Sequence, residues 1–457
     1  MAHFCTRCGI AASALILSLF VLSCGRDPQT DDSRQLDEEL EQLLVNIAPG
    51  ASGLDFFRMP ESSDLDRIPQ DPFNRLTPQK VALGQMLFHE TALGRVPKIP
   101  QSMQTYSCAS CHHAAAGFQA CLSQGIGEGG VGFGLIGEGR AVNPAYPPDS
   151  VDVQPVRSPS AMNCAWQEVM LWNGQFGAQG HNAGTQFAWT PGTPKEKNVL
   201  GYQGLEIQAI AGQNVHRLKV DSDWVLSIPA YKSLFDAAYP DIPVSERYTN
   251  ITAGLAIAAY ERTLLANQSP WQNWLNGSHS AMSNAEKEGA ILFFGKAGCV
   301  ACHTGPALNS MSFHALGMGD LQNGNYGAIN VTDDRPEHKG RGGFTGKDLD
   351  KYCFKVPQIY NLKDSPFYGH GATFTSIRDV VEYKNKGVAQ NDKVPAAYLS
   401  PLFKPLNLTA AEMDALTLFL EKSLRDPGLF RYVPQSLPSG LCFPNNDLQS
   451  RIDRGCQ

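Results

Sequence analysis

Cys108-Ala109-Ser110-Cys111-His112 recurs as Cys299-Val300-Ala301-Cys302-His303, 191 residues further along the chain, with only its two middle residues changed. Two thiols at this spacing, followed at once by an imidazole, form the attachment pattern of c-type haem. The thiols add to the two vinyl groups of the porphyrin, and the His ligates the iron from one face. A redox dithiol or half of a zinc site also uses paired cysteines. One copy could be chance. Two copies in a chain that opens with an export signal point to two covalently bound c-type haems. Cys108, Cys111, Cys299 and Cys302 are then the anchors, and His112 and His303 the iron ligands.

Working outward, each motif follows a helix start. Thr77-Pro78 is an N-cap with Pro at the first helical position, ahead of Val81, Leu83, Leu87 and Phe88. Ser283-Asn-Ala-Glu286 is a capping box ahead of Ile291, Leu292, Phe293 and Phe294. Thr409-Ala-Ala-Glu412 starts a third helix, and the apolar run from Ile251 to Leu265 reads as a buried helix near a domain junction. No sustained two-residue alternation appears, so the fold class is mainly α. The eight glycines between 125 and 139 mark a loop, with a gate over the first haem as the functional alternative.

The chain has 457 residues, enough for two or three domains. Its net charge of −7, without a Lys/Arg-rich run, offers no field for nucleic acid. Arg7 precedes the short apolar run Ile10–Leu22, which reads as an export signal rather than a membrane span. Val21-Leu22-Ser23-Cys24 resembles a bacterial lipobox, which implies cleavage before Cys24, lipidation of its thiol and a periplasmic or cell-surface protein held at the outer membrane. Residues 24–70 read as an acidic solvated tether, 71–248 as a first haem domain, 249–432 as a second and 433–457 as a tail. Cys442–Cys456 and Cys121–Cys164 are candidate disulfides, since export permits them.

Several further segments run in a recognisable order: Leu83–Phe88, Ser158-Pro159 through Asn163, Leu171-Trp172-Asn173-Gly174, Ala256–Leu264, Phe354-Lys-Val-Pro357 with Asn361, and Leu406–Thr409. Together with the two haem motifs, this order resembles the bacterial di-haem cytochrome c peroxidases and their maturase-like relatives, over roughly residues 76–425. The resemblance implies two helical cytochrome c-like domains with one haem each. Haem 1, on His112, is then the peroxidatic site, and electrons enter at haem 2, on His303. It implies hydrogen peroxide as substrate and a small redox protein as donor. It also places Trp172 between the haems as an electron relay.

Departures from the family pattern locate the questions. Many relatives carry a blocking His about sixteen residues after the first motif. Here position 128 is Glu128, and no His falls between 114 and 180. The first iron is therefore expected to keep an open position. The family's Gln–Ala pair and distal Glu match Gln208-Ala209 and then His216, with Arg217 beside it to stabilise developing charge. His216 can shuttle the peroxide proton. It is alternatively a ligand to haem 1 or a residue with no catalytic part. Counting fourteen from His370 puts the sixth ligand of haem 2 at Lys384. The helical stripe of Ile377, Val380 and Val381 also includes Lys384 and excludes Tyr383. Tyr383, another residue such as Met318, or no side-chain ligand at all remain the alternatives. Calcium between the domains is the weakest cofactor expectation, because the family's Asn ligand is replaced by Arg157, which could instead pair with Asp364. The expected function is peroxide reduction. The alternatives are oxidation of a side chain in a partner protein, or electron transfer without chemistry.

Overall fold

The computed structural model describes residues 31–456; the export signal and Cys24 lie outside the described residues. The described chain is mainly helical, and its sheet is confined to two antiparallel ribbons. One pairs β1 (Gly130–Val131) with β2 (Ala141–Val142), and the other pairs β3 (Phe313–His314) with β4 (Phe354–Lys355).

Helices form where the caps predict them. The Thr77 side chain accepts from the Lys80 amide at the start of α2 (Pro78–His89), following α1 (Asp31–Ile47). Next come α3 (Gly204–Val215) and the almost wholly buried α4 (Asn250–Arg262). Reciprocal capping boxes at Ser283 and Thr409 start α5 (Asn284–Phe294) and, after α6 (Ile377–Lys386), α7 (Ala410–Leu418). Two helical clusters result. In the first, α4 packs on α2 and α3; in the second, α5 packs on α7. Both crossings depend on glycine. A Cβ on Gly84 of α2 would lie 1.9 Å from the Ala256 carbonyl oxygen, and one on Gly289 of α5 would lie 2.1 Å from that of Ala415. Each glycine sits on the helix that leads to a Cys-x-x-Cys-His segment.

Two expected boundaries are corrected. The first cluster does not end at 248, because α4 belongs to it. Residues 31–70 are not a solvated tether. Leu40 and Leu44 of α1 are fully buried, and Asp37, on the same stripe, accepts from Trp274 Nε1 at 2.7 Å and from Lys287 Nζ at 2.9 Å. The acidic composition concealed an apolar stripe with one paired carboxylate in it. Lys287 is itself buried, so Lys287→Met should remove the buried ammonium that pairs with Asp37 and lower unfolding stability by about 3 kcal/mol, measured by denaturant melts. A loss below about 0.5 kcal/mol, the range of ordinary surface substitutions, would restore the tether reading.

The tail is also part of the fold. Cys442 and Cys456 form a disulfide, whereas Cys121 and Cys164 are free. The expected second bridge fails because Cys164 is fully buried against the Ser160 and Met162 carbonyls, while Cys121 packs beside Gly137. The disulfide ends α8 (Leu448–Arg454), where Asp453 accepts from the amides of Phe133 and Gly134. Asp447 pairs with the buried Arg140, which also donates to the Ile126 and Gly127 carbonyls. The glycine-rich loop is therefore pinned at several points, which opposes a gating role.

Candidate functional site

Each Cys-x-x-Cys-His segment opens onto its own cavity. The first, of about 360 Å³, is lined by Cys108, Cys111 and His112, by Gln208 and His216 of the α3 region, and by Glu261 of α4. The second, of about 750 Å³, is lined by Cys299, Cys302, His303, His370, Lys384 and Met318 among others. The linings suit a c-type haem. His112 Nδ1 lies 3.3 Å from the Phe118 carbonyl, and His303 Nδ1 lies 3.0 Å from that of Leu308. Donation there orients each ring and leaves Nε2 as the free lone pair. Burial pushes both imidazoles down to about 4, so they are neutral at pH 7, as iron ligation requires.

Gln208, Gly212 and His216 recur every four residues and share one face of α3 and its C-cap, turned to the first cavity. His216 Nδ1 bonds the buried Asp152 carboxylate at 2.8 Å. Burial by itself lowers the His216 pKa, but the charge and hydrogen bond of Asp152 outweigh it, and the net shift is upward. Asp152 is delivered by the glycine-rich loop: Gly127 donates to the Asp152 carbonyl, and a Cβ on Gly127 would lie 2.5 Å from its carboxylate. Arg217 is corrected. Its guanidinium pairs with Glu128 and donates to the Ser150 carbonyl, so it does not line the cavity. Glu128, at the position of the family's blocking His, is fully buried and engaged by Arg217, Tyr146 and the Ile99 amide.

Glu261 is the acidic group that sequence reasoning missed, although it lies within the quoted Ala256–Leu264 segment. Arg262 beside it is spent on Glu206, at 2.7 Å. Desolvation, with added repulsion from Glu206, pushes Glu261 up to about 8. Its Oε2 is buried without a hydrogen-bond partner.

In the second cavity, Ile377, Val380, Val381 and Lys384 line the wall together, as the helical stripe predicts. Burial pushes the Lys384 amine down to about 8. Its Nζ lies 6.0 Å from the centre of the Phe403 ring. Tyr383 points elsewhere: its hydroxyl donates to the Leu316 carbonyl, and its ring packs on Phe374 and Phe403. Met318 lines the cavity as well. Both ring nitrogens of His314 are taken, by Ser400 and Ser312.

The two cavities share a wall made of Arg157, Pro159, Ser160, Met170, Leu171 and Trp172. Trp172 donates from Nε1 to the Arg157 carbonyl at 2.8 Å. Its ring lies 6.3 Å from that of His370, which stacks on Phe354 at 3.7 Å. The expected Arg157–Asp364 pair does not form, because Asp364 is taken by Arg425 and Asn361.

Residues 78–280 match the family model for di-haem cytochrome c peroxidase. The chain is 30% identical over 375 residues to the methylamine utilization protein MauG of Methylorubrum extorquens, spanning 81% of this chain and 84% of that protein. It is 25% identical over 412 residues to the cytochrome-c peroxidase IdrP1 of a Pseudomonas species, spanning 86% and 93%. Its fold is similar to that of a MauG-like protein associated with microbial copper homeostasis, with a TM-score of 0.51 and 22% identity over 81% of this chain and 94% of that one.

Proposed function

Because the chain belongs to the di-haem cytochrome c peroxidase family, a family of oxidoreductases, we propose that it is an exported, lipid-anchored peroxidase. In this reading it reduces hydrogen peroxide at the His112 site, with electrons from a small redox protein entering at the His303 site. The observation that carries the reading is the first cavity. There the haem-binding motif meets a His216 imidazole held by the buried Asp152 carboxylate, and no side chain from the 114–180 segment offers a second imidazole. Bound haem supplies the redox-active iron; the protein supplies the proton handling and the path. Asp152 holds the His216 imidazole by Nδ1, which leaves Nε2 to take a proton from one peroxide oxygen and return it to the leaving one. Gln208, on the same face, provides an amide to orient the peroxide. Trp172, in the shared wall, carries the electron between sites.

One observation favours a second reading. Lys384 lines the second cavity, and an amine ligand there would be a hard one that stabilises oxidised iron. That suits a maturase-like oxidase of a protein side chain, and a MauG is among the relatives.

The deciding experiment mixes fully oxidised protein with peroxide and follows both haems optically. The expected outcome is a high-spin haem that reacts without prior reduction. An all-low-spin resting state with a lag removed by reductant would reject the open-site reading. Haem count is checked separately. Cys108→Ala with Cys111→Ala, and Cys299→Ala with Cys302→Ala, should each leave one covalent haem by haem stain and mass; two retained in either variant would reject the assignment.

A further inference from the structure

We propose that Arg157 is a built-in cation of the wall between the two haem sites, binding haem propionate carboxylates and making a metal ion at that position unnecessary. The proposal rests on the di-haem reading above. Arg157 is 3% exposed and borders both cavities. Its Nη1 donates to Gln119 Oε1 at 2.7 Å and to the Ser158 carbonyl at 3.5 Å, and its Nη2 to Ser365 Oγ and to the Ala120 carbonyl at 3.4 Å. None of these partners is charged. Its Nε is buried without a partner. The titratable groups whose charge would act on it are Tyr368 and Cys121, both neutral at pH 7. Asp364, the carboxylate nearest in sequence to Ser365, is already paired with Arg425 at 2.6 Å. Among the described residues, then, Arg157 has no counter-anion.

A buried guanidinium without an anion is strongly disfavoured, since desolvating a lone charge costs far more than neutral hydrogen bonds return. The missing anion must come from what fills the cavities, and haem carries two carboxylates. Both Nη atoms already have acceptors, so the donor left for a propionate oxygen is the unpartnered Nε–H, in a charge-assisted hydrogen bond. The main chain of Arg157 extends the role. Its amide donates to the His370 carbonyl at 2.8 Å, and its carbonyl accepts from Trp172. One residue thus joins Gln119 on one side, Ser365 and His370 on the other, and the indole in the shared wall. An interdomain cation would make the same links.

The test compares Arg157→Gln and Arg157→Lys with wild type as full-length holoproteins, using spectroelectrochemistry, resonance Raman of the propionate modes and metal analysis. Removing a fixed positive charge disfavours ferrous iron. Arg157→Gln is expected to shift the ferric/ferrous equilibrium of at least one haem about tenfold towards ferric and to move the propionate modes. Arg157→Lys should recover most of the potential. Wild type should carry no stoichiometric calcium, and a chelator should leave its spectra unchanged. Wild-type potentials and propionate modes in Arg157→Gln would overturn the proposal. So would stoichiometric calcium in wild type whose removal alters either haem, a result that remains readable if Arg157→Gln fails to fold. None of these readouts depends on turnover, so a loss of the peroxidase reading and a loss of this proposal are separable.

Discussion

His216→Ala should slow the reaction of the oxidised protein with hydrogen peroxide by about a hundredfold or more, while covalent haem content and resting spectra stay those of wild type. That is the size of effect expected when a positioned proton-transfer group is removed. The structure supplies the reason for expecting it here. His216 lines the first cavity and is held through Nδ1 by a buried carboxylate. The same pair dictates the pH profile. The working form is the neutral imidazole, and Asp152 raises the His216 pKa against the opposing effect of burial. A raised pKa means that the base form is lost sooner as pH falls. The peroxide reaction should therefore decline on acidification with a midpoint above the ordinary imidazole value. Asp152→Asn should move that midpoint down and lower the rate, since the ring loses its orienting charge. Stopped-flow rates across pH for the three proteins decide it. A His216→Ala protein with the wild-type rate would return His216 to a structural role. Loss of a low-spin signal in that variant would instead identify His216 as a haem 1 ligand.

Lys384→Ala should open the second site and produce a second high-spin haem. Two independent features converge on Lys384: its place on the apolar stripe of α6, and its position in the wall of the cavity that His303 shares. An ammonium is costly there, and burial already shifts the amine towards its neutral, ligating form. Lys384→Met should keep six-coordination and raise the haem 2 potential, because thioether favours ferrous iron more than an amine does. Tyr383→Phe should leave the haem 2 spectrum nearly unchanged and cost about 1 kcal/mol of stability, the loss of its hydrogen bond to the Leu316 carbonyl. Magnetic circular dichroism and paramagnetic resonance of the four proteins give the result. Opening by Tyr383→Phe and not by Lys384→Ala would shift the ligand by one residue. A spectrum insensitive to both would point to Met318.

Much of this protein was legible in the linear chain wherever the physics is local. The thiol spacing of a haem motif is set within one turn. The caps at Thr77, Ser283 and Thr409 act over three residues, and the stripe that carries Lys384 lies on one ten-residue helix. Cys442 and Cys456 lie only 14 positions apart. Partners brought together by chain closure were not legible. Asp37 meets Lys287 across 250 residues, His216 meets Asp152 across 64, and Arg217 spends its charge on Glu128 across 89. Composition made α1 look like a tether because six of its seventeen residues are Asp or Glu, and only the packed neighbour shows that Asp37 faces inward to a cation. The same holds for the shared wall. The resemblance singled out Trp172 and Arg157, but it paired Arg157 with Asp364, and only the closed loops show both residues in the divide between two cavities with Asp364 spent on Arg425. Short-range spacing thus determines the two Cys-x-x-Cys-His motifs and the helices. Which buried charge finds a partner, and which is left for a ligand, depends on long-range packing, because ion pairing in a low-dielectric interior is settled by the few ångström that tertiary contacts set.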